Sequence, residues 1–581
     1  MRYISNLTIL IVLLSAIFSH NVKSSFFYGG VFDHNIIFYF ALFSLLYIVN
    51  RVWAENYSMP MRRVFFLVPI VIVVLAPLLL LSKTIASYLD WAFVSDMGIL
   101  AAVISLYFVI RVCKKIKYKA LAGLILVVSI LVGSSGEMLY ILPRSTSAVI
   151  INKMNTWYGM SFNESKPDQS SSIYLTKLSF FQNKLIGQGP NQYVSLWQQN
   201  RPMSIMLTDY YNVNPNSPDT SFFKMLLEIG VAALLIIVTA CYRMWKLYID
   251  SAKVTGLESK LDYLHLFLLV IGTLMIVFVS NNFYFLIYYI ILIYLPAHNH
   301  TNLKTGTVHK FTVYALLVLA LILLSAKFMS IHSINKSVSQ YKQDANLNNF
   351  ISNMNFANRL YPGSLVNILK SQAYLQLATD LYTHTDKEKR DTVMMARFRD
   401  YISMAISEAS LNVDKTKNEP NAYILRAASY EMAMVYDADT YYPLAQADYK
   451  KAIQLDPNNP DIILSLSKLE YARGSREESA GLIDRSLTLK RNYVQAYYTL
   501  ADILEGENQR EKKAYVLQEA LKANPQNQNI AYYLAQEYYK LGLYDDYQKL
   551  MSDLITLNPD LKVLKEQLDK NMQSIPAKTT K

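Results

Sequence analysis

The residues able to do chemistry gather in one stretch, 137–220, set between long apolar runs. It holds Arg144, Lys153, Lys166, Lys177, Lys184 and Arg201, and it ends in Asn214-Pro215-Asn216-Ser217-Pro218-Asp219-Thr220-Ser221, directly before the apolar run Phe222–Val238. Cations of this kind bind anionic groups, lysine as a point charge and arginine through bidentate geometry. Asp219 or Thr220 suits a helix N-cap, which stations an acidic side chain at the mouth of an apolar domain. The plain readings stand beside the chemical ones. Asp219 would then only cap a helix, Arg144 and Arg201 would be solvated loop cations, and Gly187 and Gly189 would make a turn. The stretch has no histidine, while His265 and His298 lie near the ends of apolar runs.

The surrounding elements follow from hydropathy. A hydrocarbon core about 30 Å thick takes roughly 20 apolar residues per helix. Runs of that kind lie near 3–19, 31–50, 64–82, 97–113, 119–136, 221–242, 262–280, 283–296 and 311–329, about nine spans in all. Basic loops at 51–63, 111–119, 243–260 and 297–310 alternate with these runs and mark the cytoplasmic side. The long loop 137–220 then lies outside, together with everything after residue 330, provided that the short 283–296 segment spans. If it does not, the C-terminal part is cytoplasmic. Loops as long as 137–220 usually have a function.

Composition excludes several classes. The net charge of +12 suggests nucleic acid at first, but the surplus sits in short loops beside apolar runs, which is the positive-inside pattern. No nucleic-acid partner is expected. Two cysteines, Cys113 and Cys241, give no CxxC pattern, so neither a disulfide framework nor a structural zinc site is indicated. No metal or cofactor motif is present. The run Ile4 to Phe18 lacks a small-residue cleavage site and reads as the first span.

Beyond residue 330 the chain becomes charged and tyrosine-rich, and it repeats. Pro457, Pro525 and Pro559 stand 68 and 34 residues apart, with Arg491 in the skipped register. The same shift aligns Leu466, Leu500 and Leu534, then Ser467, Ala501 and Ala535, then Ile483, Leu517 and Met551. Small residues where two helices cross and a proline closing each unit resemble the tetratricopeptide repeat. Tyr423, Ala427, Tyr430, Ala445 and Ala452 fit a further copy with a short insertion around Asp437–Tyr442. Such hairpins bury their apolar faces by stacking on one another. Tyr497, Tyr498, Tyr532, Tyr533, Tyr538 and Tyr539 are divided between packing and a surface suited to a peptide, a protein or a glycan.

The loop also resembles a family. Leu185-Ile186-Gly187-Gln188-Gly189-Pro190-Asn191-Gln192-Tyr193 is similar to the "LLGxGPxxF" element of the bacterial O-antigen ligase and O-antigen polymerase superfamily. Asp219-Thr220-Ser221-Phe222-Phe223-Lys224-Met225-Leu226-Leu227-Glu228-Ile229-Gly230 is similar to its "HNxxLxxLxExGxxG" element. The resemblance implies transfer of a glycan from a polyprenyl-diphosphate carrier to an acceptor hydroxyl on the outer face of the bacterial cytoplasmic membrane. It implies Asp219 as the base in place of the family's histidine, a diphosphate held by Arg144, Lys177 or Arg201, and Gly187, Gly189 and Glu228 as supporting site residues. Glu228 is expected to face the bundle interior, since a lipid-facing carboxylate is costly. Tyr174 stands near the place of the family's arginine. Metal-independent transfer without a cofactor is expected; by analogy with peptidoglycan polymerases, Asp209 with Asp219 is the one pair suited to a divalent ion.

The expected architecture is all-α. A membrane domain with its outer loop fills 1–330, a linker 331–350, and a helical-repeat solenoid 351–575, clearest at 420–562. Expected partners are the lipid-linked glycan, membrane lipid, and a protein or acceptor held by the repeats. Two other readings fit the same residues: a non-enzymatic membrane-anchored repeat scaffold, and a protein oligosaccharyltransferase.

Overall fold

The computed structural model describes residues 69–72, 91–107, isolated positions between 122 and 129, 167, 169–183, 187–189, 192–208, 211–215, 218–252, 257–278, 289, 292–293, 307–385, 390–557 and a few positions from 566 to 571. The described residues are helical or irregular, with no strand among them. The chain forms two compact units.

The first unit comprises residues 1–197, 214–373 and 410–418. Its described helices are α1 (Trp91–Tyr107), α2 (Gln169–Asn183), α3 (Tyr193–Gln199), α4 (Ser221–Ile229), α5 (Val231–Ser251), α6 (Leu257–Phe278), α7 (Thr307–Asp344) and α8 (Leu347–Leu360). Met97, Leu100 and Ile104 on one face of α1 pack with Met225 and Ile229 of α4, Ala232, Ala233 and Ala240 of α5, and Leu264, Leu268 and Leu269 of α6. The alanines bring α5 close to its neighbours. Tyr289, Leu292 and Ile293 join the same core, and the Tyr289 ring lies where a Cβ on Gly272 would come within 2.7 Å.

Other faces of α5 and α6 are uncovered. Leu234, Val238, Tyr242, Trp245 and Tyr248 form an exposed stripe at helical spacing on α5, and Tyr263, Phe267, Val270 and Leu274 form another on α6.

Several expectations change here. Among the described residues one helix, Val231–Ser251, is long and apolar enough to cross a membrane, and Asp262–Val277 is a shorter apolar stretch. A nine-span bundle is therefore not what the described residues display; the runs at 3–19 and 31–50, and most of 64–82, 119–136 and 283–296, lie outside them. The run expected as one span at 221–242 is broken at Gly230, whose φ of 56° ends α4 and starts α5. Much of the expected basic loop 243–260 is helix, which places Arg243 within α5, buried. The expected linker 331–350 is also mostly helix. Ile334, Val338 and Tyr341 make the polar end of α7 amphipathic, and they pack on Phe350, Met354 and Ala357 of α8.

The second unit comprises residues 198–213, 374–409 and 419–581. The boundary between the units falls within two helices, α9 (Ser364–His384) and α10 (Thr392–Lys415). Four hairpins follow: α11 (Pro420–Ala433) with α12 (Ala438–Leu455), α13 (Pro460–Arg473) with α14 (Arg476–Leu489), α15 (Val494–Gly506) with α16 (Arg510–Ala523), and α17 (Gln528–Lys540) with α18 (Tyr544–Leu557). Ser467, Ala501 and Ala535 are all buried where helices cross, as are Ile483, Leu517 and Met551. The insertion around Asp437–Tyr442 becomes an extra turn that lengthens α12 to 18 residues against 14 in α14, with the Asp437 side chain capping Thr440 N–H.

Candidate functional site

A segment outside the repeats is held by them. Residues 198–213 belong to the second unit, and their partners sit in the loops that join one hairpin to the next. The Arg201 guanidinium donates through Nη2 to Asp456 Oδ2 at 2.7 Å, and its Nη1 donates to the Tyr211 carbonyl at 2.6 Å. Both side chains of this ion pair are out of solvent, Arg201 at 0% and Asp456 at 1% exposure. Asn459 Nδ2 donates to the same Asp456 oxygen at 3.0 Å, so the carboxylate is well satisfied.

Thirty-four residues further on, Lys490 occupies the position equivalent to Asp456. Its Nζ donates to the carbonyls of Met206 at 2.8 Å and Thr208 at 3.1 Å and lies 4.3 Å above the Tyr211 ring. Asn458 and Asn492 are equivalent in the same register. Their side-chain amides donate to the carbonyls of Arg201 at 3.2 Å and Leu207 at 3.1 Å. Tyr211 and Tyr493 both donate their hydroxyls to Asp461 Oδ1, with ring centroids 5.7 Å apart. Burial, and then the Asp461 carboxylate, push both tyrosines far above the ordinary phenol range, so both stay protonated donors.

In the first unit the two motif-bearing segments meet. Gln188 N–H donates to the Leu227 carbonyl at 2.8 Å and Gly189 N–H to the Glu228 carbonyl at 2.9 Å. Gly187 has φ 83°, and a Cβ there would lie 2.6 Å from both Glu228 O and Gly230 N. Glycine is required at this approach because both neighbours are backbone. The Glu228 side chain is 1% exposed.

Of the other site candidates, Thr220 provides the N-cap of α4, its hydroxyl accepting from Phe223 N–H. Asp219 is half-buried, and its backbone N–H donates to Ser172 Oγ of α2 at 3.0 Å. The capping role therefore belongs to Thr220. Lys177 is exposed on α2. Arg144 and Asp209 lie outside the described residues. Arg201, expected to hold a diphosphate, instead pairs with Asp456, because burial demands a full set of acceptors for a guanidinium. Among the described residues no cluster suited to a metal ion occurs.

Asp456, Asp461, Lys490 and Asn492 were not foreseen from the sequence. A signal existed: polar residues where the repeat register places interhelical loops, opposite in charge at equivalent positions. The tyrosines divide. Tyr538 and Tyr539 pack against the core of the last hairpins, while Tyr533 is exposed and meets Tyr498 edge-on at 5.6 Å.

No family model matches the chain. The TPR repeat-containing protein YpiA of Bacillus subtilis (strain 168) is 26% identical over 111 residues, covering 19% of this chain and 26% of its own length. Among solved structures, MamA is 16% identical with a TM-score of 0.23, over 31% of this chain and 98% of its own. YrrB, a TPR protein with an unusual peptide-binding site, is 14% identical with a TM-score of 0.22, over 33% of this chain and 98% of its own. Yeast Tom70 is 13% identical with a TM-score of 0.28, over 82% of this chain and 81% of its own. With the 34-residue period, the stacked hairpins and the YpiA match in agreement, the chain carries tetratricopeptide repeats.

Proposed function

We propose that this chain is a membrane-anchored repeat scaffold whose hairpins hold protein segments on the outer face of a bacterial cytoplasmic membrane. The observation that carries this reading is the repeat unit's grip on residues 198–213, a non-repeat segment bound through a buried ion pair and side-chain amides. The exposed stripes on α5 and α6 support the anchor. Apolar faces of that extent suit lipid, and Trp245 and Tyr248 lie towards the C-terminal end of α5 as members of an interfacial belt would.

Chain connectivity supports the choice of side. Residues 198–213 pair with the repeats, so an even number of crossings must separate them. Spans at α5, α6, 283–296 and α7 meet that condition and keep both outside with loop 137–220. Packing of Tyr289, Leu292 and Ile293 into the α6 core agrees with a spanning 283–296 segment.

A second reading, glycan transfer of the O-antigen ligase or polymerase type, is favoured by one observation. The glycine turn at Gly187–Gly189 and the Glu228–Gly230 helix break, distant in sequence, are hydrogen-bonded to each other. In that reading Asp219 takes the acceptor proton, and Lys177 and Arg144 hold the diphosphate of a polyprenyl-linked glycan.

Two experiments divide the readings. A photo-crosslinking residue at exposed Tyr533 or Tyr515 should give discrete protein adducts in membranes that the same residue at exposed Val238 of α5 does not give; a diffuse smear at both repeat positions would sink the scaffold. Asp219→Asn at normal protein level should leave surface glycan unchanged under the scaffold reading and abolish it under the transferase reading.

A further inference from the structure

We infer that the loop edge of the repeats is an exchangeable docking strip for a protein segment that carries an arginine and, ten residues later, a tyrosine, with a short 3-10 turn between them. Residues 198–213 are its resident occupant.

The strip reads mostly backbone. Asn458, Lys490 and Asn492 all donate to main-chain carbonyls of the segment, those of Arg201, Met206, Leu207 and Thr208. Donors aimed at carbonyls accept most sequences, provided the chain is laid out at the right spacing. Two side chains of the segment supply the selectivity. Arg201 enters the Asp456 carboxylate, and Tyr211 reaches Asp461 while its ring lies beneath the Lys490 ammonium. The segment's apolar side chains contribute less: Met203 and Leu207 remain 54% and 61% exposed, although Met206 is buried. Tyr211 also packs on the cluster of Leu464, Ile483, Tyr493 and Ala496, so the apolar hold rests on two side chains, Met206 and Tyr211, and the remainder of the attachment is polar.

The repeat supplies the geometry. Asn458 and Asn492 are the same position of successive units, as are Asp456 and Lys490, so the stacking of hairpins sets the distance between the contact points. A competing segment must therefore match the stack's rise, with its arginine at one interhelical loop and its tyrosine beside the next. The strip lies at the loops and is separate from the helix faces that carry Tyr533 and Tyr515, so failure of trans binding here would leave the crosslinking test standing.

The test uses the full chain in detergent micelles and a fluorescent synthetic peptide of residues 198–213. In the wild type the tethered segment occupies the strip, and the peptide should bind weakly. Arg201→Ala loosens the resident segment while leaving the strip intact, and the peptide should bind at least tenfold more tightly. Adding Asp456→Asn to that variant should reverse the gain. Equal binding by wild type and Arg201→Ala, or an unchanged affinity on adding Asp456→Asn, overturns the docking strip. Should Arg201→Ala fail to fold, Tyr211→Phe keeps the ring packing and removes only the hydroxyl at Asp461. A gain of a few-fold over wild type is then expected, and none would overturn the strip equally well.

Discussion

Arg201 and Asp456 stand 255 residues apart in sequence, yet their side chains meet at 2.7 Å out of contact with water. This pair ties a loop segment to the joint between two repeat hairpins.

Removing one partner leaves the other charge buried and uncompensated, at a cost of about 3–5 kcal/mol. Arg201→Ala and Asp456→Asn should each raise amide exchange in residues 198–208 by more than a hundredfold. The double variant should be far less damaging than the sum of the two, because each change removes the charge that the other would leave orphaned. Strictly additive effects in a double-mutant cycle would show that the pair is not coupled.

Gly187→Ala should open the junction between the glycine turn and α4. The left-handed φ alone costs about 1–2 kcal/mol for alanine, and the Cβ would meet immovable backbone at 2.6 Å. Exchange of the Gln188 and Gly189 amides should accelerate at least thirtyfold. Gly481→Ala makes the contrast, since nothing lies within 4 Å of its Cβ. It should stabilise α14 by about 0.5–1 kcal/mol, and a destabilised α14 would contradict the open surface seen there.

Burial raises the Glu431 carboxyl to about 7, against the Tyr449 hydroxyl and the Lys468 charge, which both lower it. A carboxyl whose folded value is raised favours the native state most while protonated. Its contribution is complete below pH 4.5, the unfolded value, and is lost as pH climbs to about 7. The loss is about 3 kcal/mol. Glu431→Gln should therefore flatten the decline in α11–α12 exchange protection between pH 4.5 and 7. Parallel curves for the two proteins would refute the shift.

Single cysteines at exposed Leu207 and Tyr515, in a chain with Cys113 and Cys241 replaced by serine, should both react with a membrane-impermeant maleimide added outside intact cells. Labelling of one and protection of the other would break the even-crossing arrangement.

Much of this architecture was legible in the order of residues. The repeats announced themselves because Ser467, Ala501 and Ala535 must each be small for two helices to cross, a demand that returns every 34 residues. The polar end of α7 was missed as helix because a linker and a lightly amphipathic helix share a composition. Ile334, Val338 and Tyr341 acquire meaning only against α8. The break at Gly230 was hidden for the opposite reason: hydropathy averages across it, and one glycine with φ 56° divides a run that looks continuous.

The candidate site divided along the same line. Asp219 and Thr220 are equally good caps by type, and only the folded helix end, where the Thr220 hydroxyl accepts from Phe223 N–H, decides between them. Local spacing, set by 3.6 residues per turn and the rise of a hairpin, lets the sequence alone fix the helices, their apolar faces and their repetition. Which cation meets which carboxylate has no period. Arg201 looked like any loop arginine until folding closed 255 residues of chain and carried Asp456 to it. A charge excluded from water is stable only where the assembled fold supplies its counter-charge.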